Sequence, residues 1–365
     1  MGSWDKKRKQ FRSNKTGKVM DSLNLGKTVL KYEVIIGVGG IGSGSFFRLD
    51  GNHTLGREES RSGYFLDKND YCKLHIIAHY VKALLGNKLR IIPVGKVGND
   101  DAGKKLIEEM NEVDIETGYV EIDKSKHTLF SFCFLYPDHS GGNMTTNDSA
   151  CSSVDEEHIL KSEKEFMKYS GKGIALAAPE VSLNARLCLL NLATKYNFFR
   201  VASFTSGEMN KVFKERIIEK VDLLCINLDE AAAILDMDFN YNISEIVKLS
   251  IDKLTVINPK LIITITGGKE GSWIWNGSEL SYLPVEKVEV ISTAGAGDAF
   301  TSGMIAGIAS GLSIKDSHQL ANLTGGGSVT SPHTINKELN RVTLLEISKT
   351  SNTKFSNNVL KLLEK

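Results

Sequence analysis

The chain lacks the features that mark membrane-spanning or secreted proteins. It has no apolar run of the roughly 20 residues that a transmembrane helix needs. Its start also lacks the charged, apolar and small-residue pattern of a secretory signal. We therefore expect a cytoplasmic globular protein with no membrane partner.

Cysteine and proline are both scarce. The 365 residues include 6 prolines and 5 cysteines. The cysteines are odd in number and widely spaced, at Cys72, Cys133, Cys151, Cys188 and Cys225. Disulfide-rich secreted domains carry an even set, and zinc sites carry closely paired cysteines. The pattern therefore predicts neither a disulfide framework nor a zinc site.

Net charge is almost absent. The 45 basic and 44 acidic residues leave a net charge of +1, so no overall field attracts nucleic acid. The local exception is a basic start that includes Lys6–Lys9. We assign residues 1–28 to a disordered basic tail, with a nuclear-localisation or polyanion-binding arm as the alternative. Residues 29–365 are long enough to form one folded domain with a large core.

Apolar periodicity predicts an α/β fold. Strands are predicted at 32–38, 90–94, 128–136, 174–178, 199–204, 223–226 and 261–266, and helices at 70–85, 101–110, 184–196, 208–218, 230–235 and 243–254. Two antiparallel strands are predicted at 272–275 and 280–283. Strands that alternate with helices are typical of a mostly parallel central sheet with helices on both faces.

The most informative segment is Ser-Thr-Ala-Gly-Ala-Gly-Asp-Ala-Phe at 292–300. It follows a strand-like run and precedes a helix rich in small residues. Gly295, Ala296 and Gly297 would present backbone N–H groups at a helix N-terminus, where anions bind. Asp298, in the first turn, could accept a proton from a hydroxyl. The alternative is a tight turn with an aspartate that only caps the helix.

This segment resembles the C-terminal signature of the ribokinase-like (PfkB) carbohydrate kinases, usually Asp-Thr-x-Gly-Ala-Gly-Asp. The resemblance implies an ATP- and Mg²⁺-dependent kinase for a hydroxyl of a small sugar, polyol or nucleoside. It implies that Asp298 is the catalytic base and that Gly295, Ala296 and Gly297 form the anion hole. It also implies a ribokinase-like three-layer sandwich with a small β lid. Because members often pair through that lid, a homodimer is one expected assembly.

Asn227-Leu228-Asp229-Glu230 resembles a second motif of the family. It directly follows a predicted strand, and open α/β sheets bind ligands at that edge. In the family the glutamate positions Mg²⁺ through water, which assigns Glu230 and Asn227 to the metal and the nucleotide. The alternative is a helix N-cap followed by a first-turn acid.

Further residues are assigned to the nucleotide by weaker similarity. The Thr266–Gly271 turn resembles the glycine-rich turn that lies along the nucleotide in this family, and a glycine-rich hairpin is the alternative. The stretch around Asn322 resembles the wall of the adenine pocket. The resulting assignments are Thr266, Gly268, Gly271, Thr293 and Asn322.

Two other patterns point to different ligands. Gly37–Gly42 matches the Gly-x-Gly-x-x-Gly fingerprint of dinucleotide-binding proteins, which requires a helix to start at its third glycine. The following residues are too rich in glycine to begin a helix, so we favour a strand end beside a substrate cleft. His75 and His79 have the spacing of metal ligands, but their apolar helix face favours packed histidines.

The sequence departs from the family in two places. Ser292 replaces the usual first aspartate of the signature, so dependence on a monovalent cation is in doubt. The usual Gly-Gly-x-x-x-Asn motif is replaced by Cys72–Ile77. The second departure motivates an alternative function, in which a catalytically silent relative binds nucleotide or sugar and regulates a partner.

Another segment offers candidate substrate contacts. The polar stretch 48–61 contains Asp50, Asn52 and Arg57, which we assign to the substrate; solvated lid residues are the alternative. Lid or substrate segments are expected within 42–70 and 117–150. The identity of the substrate does not follow from these residues.

Overall fold

The computed structural model describes residues 21–26, 29–138, 141–236 and 242–365. Its strands are β1 (Val34–Val38), β2 (Gly42–Leu49), β3 (Gly63–Tyr71), β4 (Arg90–Gly98), β5 (Tyr119–Asp123), β6 (Leu129–Leu135), β7 (Gly141–Thr145), β8 (Gly173–Ala177), β9 (Phe199–Ala202), β10 (Leu223–Asn227), β11 (Ile262–Thr266), β12 (Ser272–Trp275) and β13 (Leu280–Leu283).

The helices lie between these strands and after β13. They are α1 (Lys73–Leu85), α2 (Asp101–Glu112), α3 (Glu156–Leu160), α4 (Glu163–Lys168), α5 (Leu183–Lys195), α6 (Met209–Lys214), α7 (Leu228–Ile234), α8 (Ile243–Ile257), α9 (Ala296–Ala309), α10 (Ile314–Ser328), α11 (Arg341–Thr350) and α12 (Asn357–Leu363). Among the described residues, no helix has the length and apolar character that a membrane crossing requires.

The central sheet has nine strands in the order β13-β12-β11-β10-β9-β8-β1-β4-β5 within the described residues. Strands β1, β4, β5 and β8 to β11 run parallel, and β12 and β13 are antiparallel. Every residue of β1 is buried, as expected for a strand covered on both faces. One core cluster contains residues of α1, α9 and α10, and a second contains residues of α5 and α8. The predicted three-layer α/β class is confirmed.

A second sheet, which we call the lid sheet, has four strands among the described residues, in the order β3-β2-β6-β7. Its strands come from the two ranges that the sequence assigned to lid or substrate segments. No strand was predicted within the first of these ranges, because it is rich in glycine and polar residues. The helix expected to start at Asp70 starts instead at Lys73, because Asp70 and Tyr71 pair with β2 as part of β3.

The folded domain begins earlier than predicted. Most of the assigned tail, residues 1–20 and 27–28, lies outside the described residues. Residues 21–26 are part of the domain, because Leu23 and Leu25 are only 3% and 2% exposed in the core. The Leu23 amide also donates to Leu84 O of α1 at 2.8 Å. Two leucines in a polar stretch are too short a signal for periodicity to detect.

The glycine run after β1 serves close packing. Strand β2 begins at Gly42, where a dinucleotide fingerprint requires a helix. A Cβ atom on Gly42 would lie 2.5 Å from Leu129 O and 2.8 Å from Cys72 Sγ. A Cβ on Gly40 would lie 2.0 Å from the Glu180 Oε2 atom. The glycines therefore let β2, β6 and the start of α1 approach one another.

This packing predicts the effect of a single methyl group. Gly42→Ala should lower the free energy of unfolding by about 1–3 kcal/mol, because the new methyl meets a backbone oxygen that cannot move freely. Gly118→Ala is the matched control, since a Cβ there meets no atom within 4 Å. The control should stay within about 0.5 kcal/mol of wild type in urea unfolding. Equal stability of the two variants would contradict this account of the glycine run.

Candidate active site

A cavity of about 500 Å³ opens at the carboxyl ends of β10 and β11, beside the start of α9. Open α/β sheets bind ligands at this edge. The residues that the sequence assigned to nucleotide, metal and proton transfer all line the cavity: Asn227, Glu230, Thr266, Gly268, Gly271, Thr293, Gly295, Ala296, Gly297, Asp298 and Asn322. The structure therefore brings four separate motifs to one place.

The start of α9 presents free backbone donors to this cavity. Gly295 is the N-cap with φ +79°, and a Cβ there would lie 2.6 Å from Thr334 O. The Ala296 amide donates to Thr293 O at 3.2 Å. The Gly297 and Asp298 amides have no backbone acceptor within the part of the chain that the structure describes. Two donors at the positive end of a helix are able to bind an anion.

Asp298 lies in the first turn of α9, next to these donors. Its side chain is 14% exposed, and burial raises the pKa of its carboxyl group. The Lys73 ammonium opposes that rise, with Nζ 3.7 Å from Asp298 Oδ1. A carboxyl group whose burial and ion pair oppose each other is typical of a proton-transfer site.

Asn227 and Glu230 form a capping box at the start of α7. The Glu230 amide donates to Asn227 Oδ1 at 2.8 Å, and the Asn227 amide donates to Glu230 Oε2 at 2.9 Å. Burial raises the pKa of Glu230 to about 7. Asn227 and Glu230 therefore both cap α7 and line the cavity. A nearby cation would favour the ionised form of Glu230.

Apolar walls and glycine-rich turns form the rest of the cavity. Gly268 and Gly271 have φ values of +55° and +91°, and the Gly267 amide donates to Gly271 O at 2.8 Å. The apolar lining comes from Val285, Val288, Val290 and Val329. Asn322 Nδ2 donates to Pro284 O at 2.9 Å and to Glu286 Oε1 at 2.7 Å. Asn322 thus ties α10 to the segment after β13 and fixes this wall of the cavity.

The candidate substrate residues lie elsewhere. Asp50, Asn52 and Arg57 are exposed residues of the connection between β2 and β3, and none of them lines this cavity. Asn52 Oδ1 accepts from the Asp138 amide at 3.1 Å. Their assignment to the substrate stays a prediction.

Lys73, which lines the cavity, and Glu180, which contacts Lys73, are charged residues that the sequence analysis did not assign to the site. Lys73 is the first residue of α1, and Glu180 follows β8 with φ +76°. Glu180 Oε2 accepts from the Lys73 amide at 3.1 Å, and burial raises the pKa of Glu180 to about 7. Glu180 could have been suspected, because it follows a parallel strand at the ligand-binding edge. Lys73 reaches Asp298 only through tertiary packing, which leaves no local signal.

His75 and His79 are packed within the protein. They are 1% and 6% exposed, and their ring centroids are 6.5 Å apart. Burial lowers their pKa values to about 3 and about 4. Both rings are therefore neutral near pH 7.

Comparisons with known proteins agree with this geometry. The sequence model of the pfkB family carbohydrate kinases matches residues 79–341, which is more than half of the chain. This protein belongs to that family and has the ribokinase-like fold. It is thus a member of the sugar and nucleoside kinase family.

Individual relatives are distant. An ATP-dependent 6-phosphofructokinase of Thermoanaerobacterium thermosaccharolyticum is 26% identical over 246 residues, which cover 63% of this chain and 70% of the relative. An adenosine kinase of Schizosaccharomyces pombe is 23% identical over 245 residues, covering 63% and 71%. The solved ribokinase of Giardia lamblia is similar with a TM-score of 0.73 and 17% identity, over 88% of this chain and 100% of that one.

One methyl group should have different effects at the two glycines of the helix start. Gly295→Ala should lower the free energy of unfolding by about 1–3 kcal/mol, since it combines a positive φ with a clash. Gly297→Ala meets open space and should stay within about 0.5 kcal/mol of wild type. Its methyl enters the cavity beside the free amides, so ATP should bind about tenfold more weakly. Urea unfolding and titration calorimetry measure both effects, and unchanged ATP affinity in Gly297→Ala would contradict the anion-binding assignment.

The raised pKa of Glu180 predicts a pH dependence of stability. The pKa is about 7 in the folded protein and 4.5 for an ordinary glutamate, so the folded state binds the proton more tightly. The free energy of unfolding therefore falls as pH rises through this interval. Glu180→Gln should remove on the order of 1–3 kcal/mol of the fall between about pH 5 and about pH 8.

The exposed Glu279→Gln is the control for that experiment. Urea unfolding at the two pH values gives the comparison, and the control should show the wild-type fall. If the free energy of unfolding fell with pH as much in Glu180→Gln as in the control, the burial of the Glu180 carboxyl group would not be the cause of the pH dependence.

Proposed function

We propose that this protein is an ATP-dependent kinase that phosphorylates a hydroxyl group of a small sugar, polyol or nucleoside. The observation that carries the proposal is the start of α9, where a buried carboxylate and free amides face one cavity. Phosphoryl transfer requires such a combination of a hydroxyl-directed base and fixed donors for the transferring group.

The residues of the site fit the nucleotide and its metal ion. The two free amides of α9 suit the terminal phosphates of ATP. The valine walls suit the flat faces of its nucleobase. Glu230 and Asn227 line the cavity together and would hold Mg²⁺ through water, because carboxylate and amide oxygens are ligands that suit this ion. Bound Mg²⁺ would neutralise charge on the β- and γ-phosphates.

The proposed reaction uses Asp298 as general base. The acceptor hydroxyl oxygen forms a bond to the γ-phosphorus, and its proton passes to the Asp298 carboxylate. The bond between this phosphorus and the β–γ bridging oxygen breaks, and its electron pair leaves on ADP. The amides of Gly297 and Asp298 would donate to the phosphoryl oxygens as their charge changes.

The acceptor remains defined only as a class. Relatives are named for sugars, sugar phosphates and nucleosides, which share a hydroxyl acceptor. We retain Asp50, Asn52 and Arg57 as proposed acceptor contacts because they belong to the lid connection between β2 and β3. Ser292 Oγ accepts from the Ala294 amide at 3.4 Å, and a neutral hydroxyl there is a weaker cation ligand than a carboxylate.

The test is the Asp298→Asn variant with ATP and a panel of sugars, polyols and nucleosides. Its turnover should fall by about 10²–10⁴-fold, because amide nitrogen cannot accept the hydroxyl proton. ADP formation and phosphorylated product are measured together, and an unchanged melting temperature controls for folding. Near-normal turnover in this variant would refute the assignment of the base.

The same panel separates the alternative function. A wild-type protein that binds ATP but phosphorylates no acceptor would favour the catalytically silent regulatory protein. The altered Cys72–Ile77 stretch is the feature that keeps this alternative in the test.

A further inference from the structure

Lys73 occupies a position that local rules disfavour. It is the first residue of α1, and its N-cap Cys72 makes no side-chain hydrogen bond to the helix. A cation at the positive end of a helix is unfavourable, because the helix dipole repels it. Tertiary contacts must therefore account for its presence.

Three parts of the chain hold the start of α1. The Lys73 amide donates to Glu180 Oε2 at 3.1 Å, so a residue that follows β8 caps the helix. Gly40 leaves room for that carboxylate, since a Cβ there would lie 2.0 Å from the same oxygen. Farther along, Ser302 Oγ of α9 donates to Ile77 O of α1 at 3.3 Å. The backbone that carries Lys73 is thus fixed against both β8 and α9.

The side chain of Lys73 reaches the proposed base. Its Nζ atom lies 3.7 Å from Asp298 Oδ1, and both residues line the cavity together with Gly297. The Lys73 side chain is 35% exposed and the Asp298 side chain 14%. The ammonium therefore contacts the carboxylate and keeps surface available for a ligand.

The charges around Asp298 are unbalanced. The titratable groups that act on it or respond to it come from α1, the end of β8, β10 and α7: they are Lys73, Tyr80, Glu180, Cys225 and Glu230. Lys73 is the one cation in this set of described residues. Its pKa is raised, first by Asp298, so it stays charged.

We propose that Lys73 is a catalytic residue of the transfer, pairing with Asp298 in the free protein and contacting the transferring phosphoryl group in the reaction. The inference rests on the proposed function. As the acceptor oxygen bonds to the γ-phosphorus and the bridging oxygen leaves on ADP, the acceptor proton neutralises Asp298. Lys73 then loses its counter-ion and is available to the phosphoryl oxygens. A fixed cation that contacts the phosphoryl oxygens only during the transfer stabilises the transition state more than the ground state.

The experiment compares Lys73→Met, which removes the charge at similar length, with Lys73→Arg. Lys82→Met is the matched control, because Lys82 lies on the same helix, is buried and does not line the cavity. Lys73→Met should lower kcat/KM by about 10²–10³-fold, as loss of a transition-state donor does. Lys73→Arg should recover part of the loss, and Lys82→Met should stay within about threefold of wild type.

A second readout does not depend on turnover. Carbon-13 NMR of labelled aspartate carboxyls, with Asp298→Asn for assignment, gives the pKa of Asp298 without ligands. That pKa should rise in Lys73→Met and remain unchanged in Lys82→Met, because burial would then act without its opposing charge. The melting temperature of Lys73→Met at neutral pH should fall, because the buried Asp298 carboxylate loses its partner, and Lys73→Arg should recover part of that fall.

The outcomes separate this inference from the proposed function. If Asp298→Asn abolishes transfer but Lys73→Met keeps wild-type kcat/KM, the proposed function stands and the catalytic role of Lys73 is overturned. An Asp298 titration that is unchanged in Lys73→Met overturns the ion pair. If the wild-type protein phosphorylates no acceptor, the proposed function fails and the catalytic role fails with it.

Discussion

The site depends on the close contact between the start of α1 and the strands beneath it. Glycine at positions 40 and 42 lets α1 begin close to β2, β6 and Glu180, because a Cβ atom at either position would clash with these neighbours. This contact places the first residue of α1 opposite the first turn of α9. A helix that started one turn later, or that stood farther from the sheet, would leave Asp298 buried without a cation. The geometry of the charged pair is therefore a consequence of backbone packing.

Burial is what gives the few charges of this site their effect. Carboxyl groups at Asp298, Glu180 and Glu230 all have raised pKa values because they are removed from water. In such surroundings one ammonium group has a larger electrostatic effect than it would on the surface. The same desolvation that makes Asp298 a stronger base makes it harder to keep ionised. Lys73 and the helix amides act against that cost.

The local motifs were readable because each is contained within a few residues. Gly295–Asp298 specifies a helix start, and Asn227 with Glu230 specifies a capping box, so chain order alone predicts their geometry. The alternation of strands and helices likewise predicted the central sheet, and that class was confirmed. These features rest on short-range backbone rules, which act regardless of what packs against them.

The features that sequence reasoning missed depend on distant parts of the chain. Strand β2 is rich in glycine and serine and gains its structure from pairing with β3 and β6. Leu23 and Leu25 are held in place by packing beside α1. Glu180 contacts Lys73, although the two residues are 107 positions apart in the sequence. No pattern within a single segment predicts such contacts, because they form only when distant parts of the chain have folded together.

The first helix also limits where the acceptor can be bound. Cys72–Ile77 replaces the family's Gly-Gly-x-x-x-Asn motif, and Ile77 is 1% exposed in the core. An apolar residue buried in this way offers no hydrogen bond to a hydroxyl-rich molecule. Of the residues at 72–77, Lys73 is the one that lines the cavity. Polar recognition of an acceptor would therefore have to come mainly from other elements, and this agrees with the acceptor contacts proposed on the connection between β2 and β3.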